Sequence, residues 1–244
     1  MVAIVKNYGF QNEWDFFYYL NNKKVGEVNS MFKEFLKENF SDINDNMIIT
    51  SYVNLNKTKE DIWIKIGEER KSISIKMGKS NTMHSEYIYN FTDYLEKEKV
   101  SPKIINIILE YFFADGTRNG SGTRKLTFPD YKRKIKRKIS KVNKYFIKHE
   151  ELLIKLINRF VIGKTDILIH GTISDFTYIT KEEIINFLIN VKKDPSSAIH
   201  FSHLLFSVRS RNNEIDKFIL QIKWYSLKED IDSIRQNKNL LVKN

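Results

Sequence analysis

Asp61 and Lys76 are the residues of this chain whose types and spacing most invite chemistry. They lie at the two ends of DIWIKIGEERKSISIK, in which apolar and polar residues alternate on either side of GEER, the pattern of two strands joined by a tight turn. With GEER as the turn, Ile66 pairs with Lys71, Ile64 with Ile73, Trp63 with Ser74 and Asp61 with Lys76. Alternate strand residues share a face, so Ile62, Ile64, Ile66, Ile73, Ile75 and Met77 are expected in the core. The opposite face collects Asp61, Trp63, Lys65, Ser72, Ser74 and Lys76, with Asp61 and Lys76 roughly 5 Å apart at Cβ. Such a pair is either a surface ion pair, worth under ~1 kcal/mol, or part of a metal-dependent active site. Just beyond it, His84 and Glu86 are expected to open a helix.

Composition narrows the metal. The chain of 244 residues has no cysteine, which excludes disulfides and thiolate metal sites and leaves His and carboxylates as ligands. A hard cation, magnesium or manganese, suits such a donor set. With 41% hydrophobic and 13% aromatic residues there is material for a sizeable core in one large domain or two small ones. No stretch reaches the roughly 18 apolar residues of a membrane span. MVAIVKNYGFQNEWD lacks the basic start and apolar run of a signal peptide, so a soluble cytoplasmic protein without a membrane partner is expected. The formal net charge of +11 suggests a polyanionic partner, although a chain rich in Lys, Ile and Asn owes part of it to AT-rich coding.

The elements that must position these residues follow from periodicity. Helices are expected at 11–21, at 27–39 (Val28, Phe32, Phe35, Leu36) and at 83–97 (Met83, Tyr87, Ile88, Phe91, Tyr94, Leu95). Strands are expected at 47–55, 61–67 and 71–77. After Pro102 comes an apolar helix, IINIILEYFF, then the glycine-rich stretch 114–130. A long helix is expected over 129–161, strands near 165–169, 173–179, 199–209 and 215–224, and a helix at 181–193. The expected fold is α/β, a mixed β-sheet flanked by helices.

KEDIWIKIG followed by SISIKMGKSNTMHSE resembles the core of a PD-(D/E)xK nuclease, most like a type II restriction endonuclease, over about residues 25–100. The resemblance implies metal-dependent hydrolysis of double-stranded DNA phosphodiesters, with Asp61 as a metal ligand for Mg2+ or Mn2+. Lys76 would act on the attacking water and the transition-state charge. One position departs from the pattern. Ser74 stands where the family has an acid and is a poor metal ligand, so a second carboxylate must come from elsewhere. Glu86, just past the strand, is the first choice, and Glu34, on an early helix, the second. Residues 1–100 would then form the nuclease-like core and 101–244 a C-terminal α/β extension, unless the two are continuous. Such enzymes commonly cut as homodimers. A nucleic-acid-binding protein of phage or mobile-element origin, which kept the fold and lost catalysis at Ser74, is the alternative.

YKRKIKRKISKVNKYFIKH, 131–149, carries nine Lys or Arg and no acid. With Ile135, Ile139, Val142 and Phe146 as its buried stripe, Arg133, Lys134, Arg137, Lys138 and Lys141 are candidate phosphate contacts. Arg118, Arg124 and Lys125, among glycines, are candidates for a groove-reading loop or belong to a plain linker. The loop has no P-loop spacing, and no G-x-S-x-G occurs. A His metal site around His170, His200 and His203, and a second Q-x-K at Gln221 and Lys223 with Asp166, are minor alternatives. Trp224 is expected to pack a second sheet layer.

Overall fold

The computed structural model describes residues 8–56, 58–78, 82–191, 198–208 and 216–242. In chain order these form helices α1 (Tyr8–Leu20) and α2 (Ser30–Asn39), strands β1 (Ile49–Val53), β2 (Ile62–Ile66), β3 (Glu69–Lys76) and β4 (Thr82–Tyr87), and helices α3 (Ile88–Lys97) and α4 (Pro102–Phe113). Helices α5 (Phe128–Lys134), α6 (Lys136–Lys148) and α7 (Glu150–Ile157) follow, then β5 (Ile167–Thr172), β6 (Asp175–Thr180) and α8 (Lys181–Asn190). The chain closes with β7 (His200–Phe201), β8 (Leu204–Val208), β9 (Ile219–Lys223) and α9 (Leu227–Val242). The expected element ends at 192–193, 209 and 215 lie outside the described residues.

Two compact units result, and both are discontinuous. The first comprises residues 1–79, 162–184 and 227–244, and the second 80–161 and 185–226. The sequence places the divide near residue 100. It falls earlier because the late strands β5 and β6 complete the sheet begun by β1 to β3, a non-local pairing that no local pattern announces.

In the first unit the sheet order is β1-β2-β3-β5-β6, parallel only between β3 and β5. The β2–β3 hairpin closes two residues earlier than GEER suggests, with Ile66 opposite Glu69 and Ile62 opposite Ile73. Gly67, at φ +59°, takes the first central position, which a two-residue turn of this kind reserves for glycine. A shift of two residues keeps every side chain on its expected face. Its consequence is local: the residue across from Asp61 is Ser74, not Lys76. Ile62, Ile64, Ile66, Ile73 and Ile75 are buried as expected, whereas Met77 is exposed because β3 ends at Lys76.

Helices α1 and α2 supply the other half of this core. Phe16 and Leu20 from α1, and Phe32, Phe35 and Leu36 from α2, are fully buried with Phe176 and Tyr178 of β6. Ring centroids of Phe32 and Phe176 lie 4.6 Å apart, within the range of favourable aromatic contact. Asn29 starts α2 by accepting the Phe32 amide.

The second unit holds an antiparallel sheet, β4-β9-β8-β7, and helices α3 to α7. Residues 82–87, expected as the first turn of a helix, are the strand β4, because they pair with β9 from Thr82 opposite Lys223 to Tyr87 opposite Ile219. The long helix expected over 129–161 is broken at Ile135 and at His149 (φ −113°, ψ 73°) into α5, α6 and α7. Both ends of the glycine-rich stretch belong to this unit, so it is no domain boundary. It folds on Asp115, whose Oδ1 accepts from the Thr117 amide and hydroxyl, while Gly120 at φ +77° passes so close to Phe113 that a Cβ would lie 2.7 Å from the ring. Trp224 is fully buried and stacks on Phe187. Among the described residues no helix is long and apolar enough to cross a membrane.

Candidate active site

Asp61 sits one residue before β2, where the ladder with β3 runs out. Its amide still bonds the Ile73 carbonyl at 2.8 Å, but the next amide along β3, that of Ile75, has no strand residue left to accept it. The carboxylate replaces the missing backbone acceptor: Oδ2 accepts from Ile75 N at 2.5 Å and from Ser74 Oγ at 3.1 Å. Lys76 Nζ lies 3.4 Å from the same oxygen and 3.2 Å from the Ile75 carbonyl. Asp61, Ser74 and Lys76 are thus brought together. Ser74 is buried, and its hydroxyl orients Asp61.

Glu13 of α1 joins them. It is half-buried, and its carboxyl is pushed up to about 7, first by burial and then by repulsion from Asp61, with Lys76 pulling the other way too weakly to compensate. The neighbouring Asn12 fixes its place. That side chain is buried and its Nδ2 donates to the Gly171 carbonyl of β5 at 2.9 Å, tying α1 to the sheet beside the site. Only glycine fits at 171: φ is +131°, and a Cβ would lie 2.2 Å from the Asp175 carbonyl oxygen.

His170 of β5 is the strand partner of Lys76. It is buried, its Nε2 donates to the Gly78 carbonyl at 3.0 Å, and its Nδ1 meets no partner among the described residues. Because a carbonyl only accepts, Nε2 must carry the proton. His170 therefore pins the chain just after Lys76.

The two acids expected from the sequence have other partners. Glu34 is exposed on α2, where its charge bears on Tyr178 rather than on Asp61. Glu86 belongs to β4 of the second unit. Arg159, in a π-helical turn after α7, reaches it with Nη2 at 2.5 Å and Nε at 3.2 Å, and His84 Nε2 lies 3.0 Å from Oε1. Burial acts to raise this carboxyl, but the His84 and Arg159 bonds and charges outweigh it and hold Glu86 below the usual range. Glu13 went unrecognised in the sequence although a signal was there: with Phe16 and Leu20 it occupies positions i, i+3 and i+7 of α1, an acid extending a core stripe.

The remaining candidates separate as clearly. Asp166 accepts from the Ser72 amide and hydroxyl at 2.8 and 2.7 Å and clamps β3 to β5, whereas Gln221 and Lys223 lie on β9 of the other unit. His200 and His203 also belong to that unit, apart in sequence and sheet from His170. Of the eight basic candidates, Arg133 pairs with Asp130, Lys138 binds both oxygens of Glu110 at 2.8 Å, and Arg124 Nε donates to the Phe113 carbonyl. Arg118, Lys125, Lys134, Arg137 and Lys141 are exposed.

No family model matches the chain, and no curated protein matches it. What can be said of the site therefore comes from its own donors. Among the described residues, no group of three or more His, Asp or Glu converges as a ready metal cage. Asp61 and Glu13 do offer two carboxylates, with the cation Lys76 beside them. Magnesium is held in just this way, by one or two carboxylates plus waters and substrate phosphates, so these hard oxygens fit it and manganese.

Proposed function

We propose that the first unit is the catalytic core of a metal-dependent endonuclease that hydrolyses phosphodiester bonds in double-stranded DNA, on a restriction-endonuclease-like α/β scaffold. The observation that carries this reading is that Asp61, bonded to Ser74 and Lys76 at the end of β3, bears by its charge on the half-buried Glu13: two acids beside Lys76. Asp61 and Glu13 would hold Mg2+ or Mn2+, whose contribution is Lewis-acid neutralisation of charge on the phosphate. Lys76, anchored by Asp61 and the Ile75 carbonyl, presents its ammonium to the attacking water or to a non-bridging oxygen. Ser74 keeps Asp61 in one orientation, Asn12 keeps Glu13 over the sheet end, and His170 holds the exit of β3. Water adds to phosphorus, the ester P–O bond breaks, and the leaving oxygen takes up a proton. Cutting both strands at one site would call for a homodimer.

The test is incubation with plasmid and mixed genomic DNA in Mg2+ or Mn2+, beside Asp61→Ala, Lys76→Ala and Glu13→Gln proteins. Cleavage by the wild type that fails in all three is the expected result. Its absence from the wild type across several DNAs would remove the enzyme reading. A nucleic-acid-binding protein without catalysis is the second reading, and Ser74, buried and bonded to Asp61 in the place of an acid, is the observation that favours it.

A further inference from the structure

The cations of the second unit fall into two sets. Arg124, Arg133 and Lys138 are spent on neighbours within the unit. Lys103 on α4, Arg118 in the loop after it, and Arg137, Lys141, Lys144 and Lys148 on α6 are exposed, and none is ion-paired to a described residue.

Their placement follows from how α6 is buried. Ile139, Val142 and Phe146 turn one stripe of the helix inward. Positions 137, 141, 144 and 148 recur at i, i+4, i+7 and i+11, so the four cations fall on one outward face. They run along about 16 Å of helix axis, over which one strand of a duplex carries about five phosphates. Beside them, α4 and α6 flank two adjoining open hollows. One, of about 450 Å³, is bounded by Lys103, Arg118, Arg137 and Lys141, and the other, of about 370 Å³, by Arg137, Lys141, Lys144 and Lys148. Arg137 and Lys141 line both. The acid in the first hollow, Glu110, is already neutralised by Lys138.

Lys103 and Lys141 line the same hollow, and the repulsion of Lys103 pushes the Lys141 ammonium down. Gathering these like charges around one acid that Lys138 already pairs is unfavourable in the isolated protein. A polyanion reverses the sign of that term.

We infer that the α4–α6 hollow binds the phosphodiester backbone of nucleic acid, with Lys103, Arg137 and Lys141 at its centre and Arg118, Lys144 and Lys148 at its ends. The identity of the partner rests on the nuclease reading above. The contacts are to phosphate, so the hollow holds DNA without selecting its sequence.

The test is fluorescence anisotropy with a labelled duplex, using the full chain in EDTA over a salt series, for the wild type and a Lys103→Gln, Arg137→Gln, Lys141→Gln triple variant. Losing three phosphate contacts should weaken binding about tenfold or more and reduce the slope of log K against log salt by about 2.7. All three side chains are exposed, so folding should survive. Lys141→Gln alone should leave the melting temperature unchanged or higher while weakening binding, a combination that a merely structural lysine would not give. Wild-type affinity and slope in the triple variant would overturn the assignment, as would a wild type that binds no duplex. Binding of anionic phospholipid vesicles with this charge dependence, and of no duplex, would assign the surface to a membrane and also overturn it. Plasmid cleavage in Mg2+, run alongside, separates the two proposals. Unimpaired cleavage by the triple variant at every DNA concentration removes the hollow and keeps the nuclease, whereas hollow-dependent binding without any cleavage keeps the hollow and removes the nuclease.

Discussion

Glu13 and Glu86, one in each unit, are both acids drawn out of bulk water, and they answer that burial in opposite ways. Glu86 has two partners: Arg159 grips both its oxygens, His84 adds a third contact, and its carboxyl is held below the usual range. Glu13 is repelled by another acid, Asp61, is only weakly offset by Lys76, and is pushed up to about 7. Burial is common to the two, so the supply of partners decides the outcome. A buried acid with its charge fully met is a brace, while two acids short of positive charge form a place that a cation would complete. Glu86 satisfies the first description and Glu13 with Asp61 the second.

Predictions follow from attacking one side of this contrast at a time. The largest effect belongs to the unsatisfied pair. Asp61→Asn should lower metal-dependent cleavage roughly a thousandfold, about 4 kcal/mol of transition-state stabilisation, as read from initial rates of plasmid nicking. Next comes the brace: Arg159→Met leaves the buried Glu86 charge underpaired and should cost about 3 kcal/mol of stability, measured by urea unfolding. Smaller is the metal's own effect on folding. Mg2+ at about ten times its dissociation constant should stabilise the wild type by about 1.4 kcal/mol, visible as a rise in melting temperature, and the rise should vanish in Glu13→Gln.

The smallest effect separates the two acids by pH. Glu13 has a raised pKa, so its contribution is fully present below about 4.5 and is lost as pH rises through about 7. In metal-free protein, Glu13→Gln should therefore gain about 1 kcal/mol at pH 8.5, after discounting for its partial exposure, and nothing at pH 5. Glu86 has a depressed pKa, so its contribution is present above about 4.5 and lost as pH falls through its folded value. Glu86→Gln should accordingly lose stability at neutral pH, and that difference should shrink in acid. Parallel pH profiles for the two variants would contradict the contrast.

Much of the site could be read from the chain because strand faces repeat every two residues. The alternation in DIWIKI and SISIK put Asp61, Ser74 and Lys76 on one face even with the turn set two residues wide, since a slip of two preserves the faces. The second acid could not be placed by the same logic. Glu86 is suggested by its closeness to the motif and Glu34 by its place on an early helix, whereas Glu13 reaches the site because α1 packs on the sheet and Asn12 ties it to Gly171, a residue 159 positions away. The start of the helix expected at 83–97 is misplaced for a related reason: Met83, Tyr87 and Ile88 fit a helical period, and only pairing with β9 reveals a strand up to Tyr87. Charge was easy to count along α5 and α6. Which charges are free was not, for the pairing of Lys138 with Glu110 spans two helices, while that of Arg133 with Asp130 was a local i, i+3 contact open to inspection.

In the proposed enzyme Glu13, and not Glu86, completes the acid pair with Asp61. Plasmid cleavage in Mn2+ by the Glu13→Gln and Glu86→Gln proteins, side by side with the wild type and corrected for the folded fraction, tests it most directly. Glu13→Gln is expected to lose cleavage and Glu86→Gln to keep it. Full activity in Glu13→Gln with loss in Glu86→Gln would contradict it.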